Sequence, residues 1–159
     1  MPTRSTSKAP RVVVGVDGSP SSRAALRWAV GYAVLIGGTV DAVMARQVPE
    51  TDLIGGFGQT PAEVDDEGVI ADEVRQALDA VITEEVKPDD RSRITARIFE
   101  GHAAAALLQA ADGAELVAVG HRGLGGFAAA ALGSTGYYVV YHANCPVLIV
   151  RGEPSRVTS

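Results

Sequence analysis

The residues of this sequence that could form a binding site are the glycines of one stretch, because their spacing is typical of an anion-binding loop. The stretch from Gly120 to Thr135 reads GHRGLGGFAAAALGST and contains the pattern Gly120-x2-Gly123-x9-Gly133-Ser134. Glycine permits positive φ and lets an anion approach backbone N–H groups without a Cβ in the way. A helix N-terminus adds N–H donors and the positive end of the helix dipole. The spacing predicts a phosphate-binding loop, with Ser134 and Thr135 placing hydroxyls in the first turn of the next helix.

The structural alternative for the same residues is a turn without a ligand, followed by a helix cap. Spacing alone is weak support for a phosphate loop, because the chain has 18 glycines. Placement strengthens it: an apolar run, Leu116 to Val119, precedes the stretch, and a helix-like run, Tyr137 to Ala143, follows it. A glycine-rich loop between a strand and a helix is a recurrent anion-binding arrangement. Gly125 and Gly126 then provide loop flexibility only.

The elements around this loop alternate between strands and helices, which predicts a parallel sheet with helices on both faces. Ligands of such sheets bind at the carboxyl ends of the strands, where the strand order reverses. If the first and fourth strands are neighbours, Asp17 and Gly120 meet there. Asp17 either contacts a ligand or only caps the helix after it. The predicted strands are 11–17, 39–45, 94–99, 116–119 and 146–150, the helices are 21–36, 69–86, 103–111 and 134–142, and a long loop covers 46–65.

Several nucleotide and hydrolase sites are excluded by residues that the sequence lacks. Neither of the two lysines, Lys8 and Lys87, follows a glycine-rich turn, so there is no P-loop. The first strand ends in GVDGSP, which is not the G-x-G-x-x-G of a dinucleotide site, and no G-x-S-x-G elbow occurs. The three histidines show no metal-ligand spacing, so no residue is assigned to a metal. No catalytic residue is predicted, and whether the protein is an enzyme stays open.

Composition and charge indicate a single globular domain and argue against nucleic-acid partners and membrane insertion. The chain has 159 residues, 47% of them apolar, which suits one globular domain over 11–151 with disordered tails at 1–10 and 152–159. A net charge of −5 argues against a nucleic-acid partner. The uncharged stretch 123–150 is broken by glycines and by Pro146, so we expect no membrane helix. The polar first residues resemble no signal peptide, and we expect a cytoplasmic protein with an inert Cys145.

Four motifs together make the chain resemble the universal stress proteins of the nucleotide-binding subclass. The similarity covers about Arg11 to Arg151, and the motifs are VVVGVDGSPSSRAAL at 12–26, FEGHAAAALLQAA at 99–111, VAVGHRGLGGFAAAALGST at 117–135 and HANCPVLIVR at 142–151. The resemblance implies a single-domain, three-layer α/β/α fold with an open parallel five-stranded sheet of order 3-2-1-4-5. This is a Rossmann-like fold similar to the adenine nucleotide alpha hydrolases.

The resemblance also implies a bound ATP, accompanied by Mg²⁺. By the matching positions, Gly120, Gly123, Gly133 and Ser134 hold phosphate and ribose, Asp17 lies near the adenine or ribose, Ala45 lies against the adenine, and Gly101 closes the base pocket. Position in the loop adds Arg122 as a phosphate contact. The sequence departs from the family pattern at Gly136, where a hydroxyl is common, and at His121, where serine is common.

The implied activity is that of a nucleotide-responsive regulatory module in the stress response, with slow ATP hydrolysis at most. Two alternatives stay open: an interaction protein with an empty or degraded pocket, and an enzyme that transfers adenylyl groups or hydrolyses ATP. The resemblance further implies a homodimer through the C-terminal strand Val147–Val150, an apolar edge of the kind that proteins normally cover. Tyr137, Tyr138 and Tyr141 pack either on the sheet or at a subunit contact.

Overall fold

A six-stranded sheet between two layers of helices forms the core of the protein. The computed structural model describes residues 8–46, 60–64, 69–122 and 132–152. In chain order the elements are β1 (Arg11–Gly15), α1 (Pro20–Ile36), β2 (Thr39–Arg46), β3 (Ala62–Glu63), α2 (Val69–Glu85), a 3₁₀ helix (Pro88–Arg93), β4 (Ile94–Glu100), α3 (Ala103–Ala110), β5 (Leu116–Gly120), α4 (Ser134–His142) and β6 (Val147–Val150).

The strands lie in the order β3-β4-β2-β1-β5-β6. The five longer strands are mutually parallel, and without β3 their order is the predicted 3-2-1-4-5. β1 pairs with β2 on one side and with β5 on the other, so the order reverses between β1 and β5. The predicted α/β fold and strand order are therefore confirmed, with one addition: β3 pairs antiparallel with β4 inside the region predicted as a loop.

Local signals explain where α1 begins and ends. Ser19 is its N-cap, and the Ser19 side chain accepts a hydrogen bond from the amide of Ser22, while Pro20 occupies the first turn. Gly37 ends the helix in the left-handed conformation, with φ of 68°. β2 begins two residues later at Thr39, whose amide donates to the carbonyl oxygen of Pro10 over 2.9 Å. The last residue of the predicted N-terminal tail is thus held by the sheet.

Two apolar clusters hold the helices on opposite faces of the sheet. α1 and α2 pack on one face, where Leu26 and Leu78 are fully buried beside Val12 and Val14. α3 and α4 pack on the other face, where Leu107 and Val139 surround Val13 and Phe99. Adjacent valines of β1 thus point into different clusters, as a strand buried on both faces requires. This central strand lies where the strand order reverses, beside the loops that follow β1 and β5.

A row of charges crosses the four strands from β1 to β3. Asp41 is 7% exposed, and its carboxylate accepts hydrogen bonds of 3.1 Å from both Arg11 and Arg97. Arg97 also pairs with both carboxylate oxygens of Glu63, each over 2.9 Å. Burying a charged carboxylate costs free energy unless it is paired and hydrogen-bonded, and the two arginines provide this pairing for Asp41. The outer pair, Arg97 with Glu63, fastens the short strand β3 to β4.

The remaining expectations from the sequence concern the ends of the chain and the membrane. The predicted tails, 1–10 and 152–159, fall mostly outside the described residues. Within the part of the chain that the structure describes, no helix is long and apolar enough to cross a membrane.

Candidate functional site

The sheet brings four of the predicted site residues to one edge, which is formed by the carboxyl ends of the parallel strands. Asp17 follows the end of β1, and Gly120 is the last residue of the neighbouring strand β5. Ala45 lies near the end of β2, opposite Phe99 of β4. Gly101 follows β4, and its amide donates to the carbonyl oxygen of Arg46 over 2.9 Å. This is the edge at which open α/β sheets bind ligands.

The end of β5 is pressed against the first turn of α1. A Cβ on Gly120 would lie 2.7 Å from the carbonyl carbon of Ser21 and 2.7 Å from the amide nitrogen of Ser22. Such distances to backbone atoms leave no room for any side chain. The structure therefore gives Gly120 a packing reason to be glycine, in addition to the phosphate contact that the sequence predicts.

The residues after Gly120 are held by three different elements. The amide of His121 donates to the carbonyl oxygen of Val150 over 2.9 Å, which ties the start of the loop to β6. The carbonyl oxygen of His121 accepts from the amide of Gly133 over 2.6 Å, which ties it to the start of α4. The backbone of Arg122 hydrogen-bonds with Ser21 at the start of α1. The base of the glycine loop is therefore fixed, and we call His121 and Arg122 the loop base.

The N-terminus of α4 lacks the self-capping that α1 has. Its N-cap is Gly133, and no side chain caps it in the described structure. The first-turn amides of a helix have no partner within the helix, and those of Ser134, Thr135 and Gly136 have no capping partner among the described residues. Ser134 is exposed and Thr135 is half-buried. This end of α4 can accept an anion, because both its N–H groups and its dipole favour negative charge.

Asp17 has a local role in the turn between β1 and α1. Its Oδ1 accepts a hydrogen bond of 2.9 Å from the amide of Ser19, and its own amide donates to Ser22 Oγ over 3.3 Å. The side chain is nevertheless exposed. A carboxylate has two oxygens and about four acceptor positions, so the turn uses only part of its capacity. The cap and ligand interpretations of Asp17 are compatible in this geometry.

Gly101 and Pro61 form one wall beyond the ends of β2 and β4. Gly101 has φ of +134°, a conformation that other residues rarely adopt, and a Cβ there would lie 3.1 Å from both Cα and Cβ of Pro61. Ala45 is half-buried and packs on the cluster that contains Phe99. The arrangement offers an apolar surface at Ala45, while Pro61 takes the space that a side chain at Gly101 would need.

Three features of this edge were not predicted from the sequence. Arg46 Nη1 pairs with Glu100 Oε1 over 3.0 Å at the ends of β2 and β4. Ser19 and Ser21 are buried against the loop base. A Cβ on Gly136 would lie 3.0 Å from Leu132 Cδ1, so a larger residue at this position requires the Leu132 side chain to shift. No motif indicates the two serine contacts, because their partner is a backbone group about a hundred positions away along the chain.

Some predicted site features lie outside the described residues or have a different environment. Gly123 belongs to the undescribed segment 123–131. His121 and Arg122 are half-buried, and His121 Nδ1 is a buried atom without a hydrogen-bond partner among the described residues. Nowhere in the described ranges do three His, Cys, Asp or Glu side chains gather as a metal site. Burial raises the pKa of the Cys145 thiol, which keeps this cysteine in its unreactive form.

The family model and the curated relatives lead to one family. The model of the universal stress protein family matches residues 9–151. A universal stress protein of Mycolicibacterium smegmatis is 28% identical over 143 residues, which is 89% of this chain and 48% of the relative. The universal stress protein Rv2624c of Mycobacterium tuberculosis is 28% identical over 151 residues, or 93% of this chain and 50% of the relative. The chain thus spans about half the length of these curated relatives.

Solved structures have the same fold. A universal stress protein in complex with cAMP is 25% identical, has a TM-score of 0.59, and is matched over 91% of this chain and 98% of its own. The universal stress protein from Archaeoglobus fulgidus in complex with dAMP is 23% identical with a TM-score of 0.52, over 89% of this chain and 97% of its own. At that lower identity the second likeness shows the fold alone.

Proposed function

Because the chain belongs to the universal stress protein family, we propose that it binds ATP at the carboxyl edge of its sheet and acts as a nucleotide-responsive regulatory module. The observation that carries the proposal is the uncapped N-terminus of α4 beside a fixed loop base, next to the switch point between β1 and β5. A relative of the same fold has been solved with cAMP, which supports an adenine nucleotide as the ligand class.

The described residues fit such a ligand. Gly133, Ser134 and Thr135 form the start of α4 and, with Gly120 at the end of β5, would hold the phosphates through backbone N–H groups and hydroxyls. Gly123 and the Arg122 side chain are proposed phosphate contacts from the loop between them. Asp17 would accept hydrogen bonds from the ribose or adenine, since its carboxylate keeps acceptor capacity beyond the turn. Ala45 and Gly101 would contact the base at their apolar wall.

Mg²⁺ is part of the proposal only as the ion that accompanies the triphosphate. Phosphate oxygens and water supply much of the coordination of Mg²⁺ in nucleotide sites, so a dedicated cluster of protein carboxylates is not needed. When bound, the ion would neutralise part of the phosphate charge that α4 and the loop amides also stabilise.

The proposal includes slow hydrolysis at most. Asp17 is committed in part to the β1–α1 turn, and Glu100 is paired with Arg46. Neither carboxylate is placed as a general base by a described contact with the loop base. Two alternatives stay in view: an interaction protein of the same fold whose pocket binds no nucleotide, and an enzyme that transfers adenylyl groups or hydrolyses ATP.

We also propose a homodimer through the edge strand β6, with a cytoplasmic location as the sequence predicts. Val147–Val150 pairs only with β5 among the described strands, and its residues are all half-buried. On the adjacent helix α4, Tyr137, Tyr138 and Tyr141 are exposed and so do not pack on the sheet. Aromatic residues with one apolar face and one polar group are typical of interfaces. A monomer in light scattering at micromolar concentration would contradict the dimer.

A thermal-shift series separates the three functions. The protein is melted alone and with ATP, ADP, AMP, cAMP or GTP. At a concentration of about a hundred times Kd, a ligand adds about 2.7 kcal/mol of stability. A shift with adenine nucleotides and none with GTP supports the proposal, whereas no shift with any of them supports the interaction protein. Release of phosphate or AMP over many rapid turnovers would support the enzyme.

A further inference from the structure

Two serine hydroxyls from the start of α1 converge on one backbone carbonyl of the loop base. Ser21 Oγ donates to the carbonyl oxygen of Arg122, and Ser19 Oγ donates to the same oxygen over 3.3 Å. The amide of Arg122 donates back to Ser21 Oγ over 3.3 Å. A hydroxyl has one proton and two lone pairs. The Ser21 hydroxyl therefore donates its proton to the carbonyl oxygen of Arg122 and accepts from the amide of Arg122. It satisfies both backbone groups of that residue, as a neighbouring β-strand does.

Burial makes these contacts fixed. Ser19 and Ser21 are 3% and 4% exposed, so neither hydroxyl can exchange its partner freely for water. A buried hydroxyl without a hydrogen bond is costly, which holds both side chains on the carbonyl oxygen of Arg122. The carbonyl has two lone pairs, and the two serines can occupy both. The close contact of Gly120 with the backbone of Ser21 brings the helix to this distance.

We propose that Ser21, assisted by Ser19, is a positioning residue that orients the loop base, His121 and Arg122, for the phosphate groups of the nucleotide. This inference rests on the proposed function. The carbonyl oxygen of His121, in the same loop base, accepts from the amide of Gly133 at the start of α4, so fixing the peptide groups of Arg122 also fixes the loop base beside the proposed phosphate site. A loop base that is held in place before binding loses less conformational freedom when a ligand binds. The effect of Ser21 should therefore grow with the number of phosphates.

Ser22 provides a matched control in the same turn. It is as buried as Ser21, at 4% exposed. Its Oγ donates to the carbonyl oxygen of Ser19 over 3.0 Å and accepts from the amide of Asp17 over 3.3 Å. Both contacts stay within the turn between β1 and α1 and do not reach the loop base. Loss of this hydroxyl perturbs the turn without releasing Arg122.

The test measures Kd by calorimetry for adenosine, AMP and ATP with the wild type, Ser21→Ala and Ser22→Ala. Losing the Ser21 hydroxyl should raise the Kd for ATP about five- to tenfold, which corresponds to about one hydrogen bond. The Kd for adenosine should change by less than about twofold, and the change for AMP should lie in between. Ser22→Ala should change the three affinities by one common factor. If Ser21→Ala does not fold, Ser21→Cys keeps the size of the side chain with a poorer donor and carries the same expectation.

The possible outcomes separate this inference from the proposed function. A loss that increases from adenosine to ATP in the Ser21 variant supports the positioning role. Equal losses for all three ligands, or none, would overturn it while the proposed function stands. A wild type that binds none of the three ligands would overturn the proposed function and the positioning role together.

Discussion

The amide nitrogen of Gly133 lies 2.6 Å from the carbonyl oxygen of His121, and this hydrogen bond joins the two ends of the glycine loop. It holds the start of the loop against the first turn of α4, at the proposed phosphate site. The first-turn amides of α4 that follow Gly133 have no cap acceptor in the described structure. The two kinds of amide should therefore respond differently to a ligand.

Hydrogen exchange measured by NMR can resolve this difference. We expect the amide of Gly133 to exchange slowly in the ligand-free protein, because it is buried and hydrogen-bonded. The amides of Ser134 and Thr135 should exchange fast without ligand and become protected with ATP, because a bound phosphate gives them an acceptor. Unchanged fast exchange at Ser134 and Thr135 under saturating ATP would place the phosphates elsewhere.

Gly101→Ala should destabilise the protein. The residue has φ of +134°, and a Cβ would lie 3.1 Å from two atoms of Pro61. Strained backbone of this kind costs about 1–3 kcal/mol. Urea unfolding measures the loss. Gly31→Ala is the control with the opposite sign: Gly31 is an exposed position within α1 with open space around it, so alanine should stabilise by about 0.5–1 kcal/mol. A neutral Gly101→Ala would show that the wall with Pro61 can relax.

Gly120→Ala should also destabilise, for a different reason. The new Cβ would meet the backbone of Ser21 and Ser22 at 2.7 Å, and backbone cannot rotate away as a side chain can. Overpacking of this kind costs about 1–3 kcal/mol. The same urea measurement applies, and ATP affinity should fall as well, because α1 must move away from the loop base. Unchanged stability with reduced ATP affinity would instead make Gly120 a ligand contact without a packing role.

The contact of β3 with β4 should depend on pH. Hydrogen bonds from Arg97 lower the pKa of Glu63 below its ordinary 4.5, against a smaller opposing effect of burial. Because the pKa is lower in the folded state, the stabilisation is complete above the ordinary value and is lost as the pH falls through the folded pKa. Glu63 is largely exposed, so screening limits the effect to about 0.5 kcal/mol.

Glu63→Gln tests this dependence. Urea unfolding of the variant and the wild type should differ at neutral pH and converge in acid well below 4.5, where the wild-type carboxylate is protonated as well. A difference of equal size at both pH values would show that shape or hydrogen bonding, and not charge, holds β3 on β4.

The sequence predicted the features that local patterns control. Ser19, Pro20 and Gly37 have types that begin and end helices, and α1 has the predicted bounds within one residue. β3 was missed because two residues, Ala62 and Glu63, are too few for a periodic pattern; a partner on β4 holds the strand. The contact of Ser21 with Arg122 was missed for a related reason, since any serine can bond a backbone carbonyl and only the fold decides which.

A glycine can be required for ligand binding or for packing, and the sequence does not distinguish the two reasons. Gly120 and Gly101 were predicted as ligand contacts, and the structure adds a packing reason for each: Ser21 lies against Gly120, and Pro61 lies against Gly101. The reason is physical, because a missing Cβ serves a ligand and a neighbouring chain equally well. Their role toward a nucleotide therefore stays a prediction that binding measurements must test.

Titration of the protein with ATP by calorimetry, wild type against Gly133→Val, tests the central claim most directly. Gly133 is the buried N-cap of the helix proposed to hold the phosphates, and valine is a poor N-cap whose branched side chain would crowd the approach to the first-turn amides. We expect saturable binding by the wild type and loss of at least about tenfold in affinity by a variant whose circular dichroism is unchanged. Equal ATP affinity in both proteins, or no binding by the wild type, would contradict the proposed site.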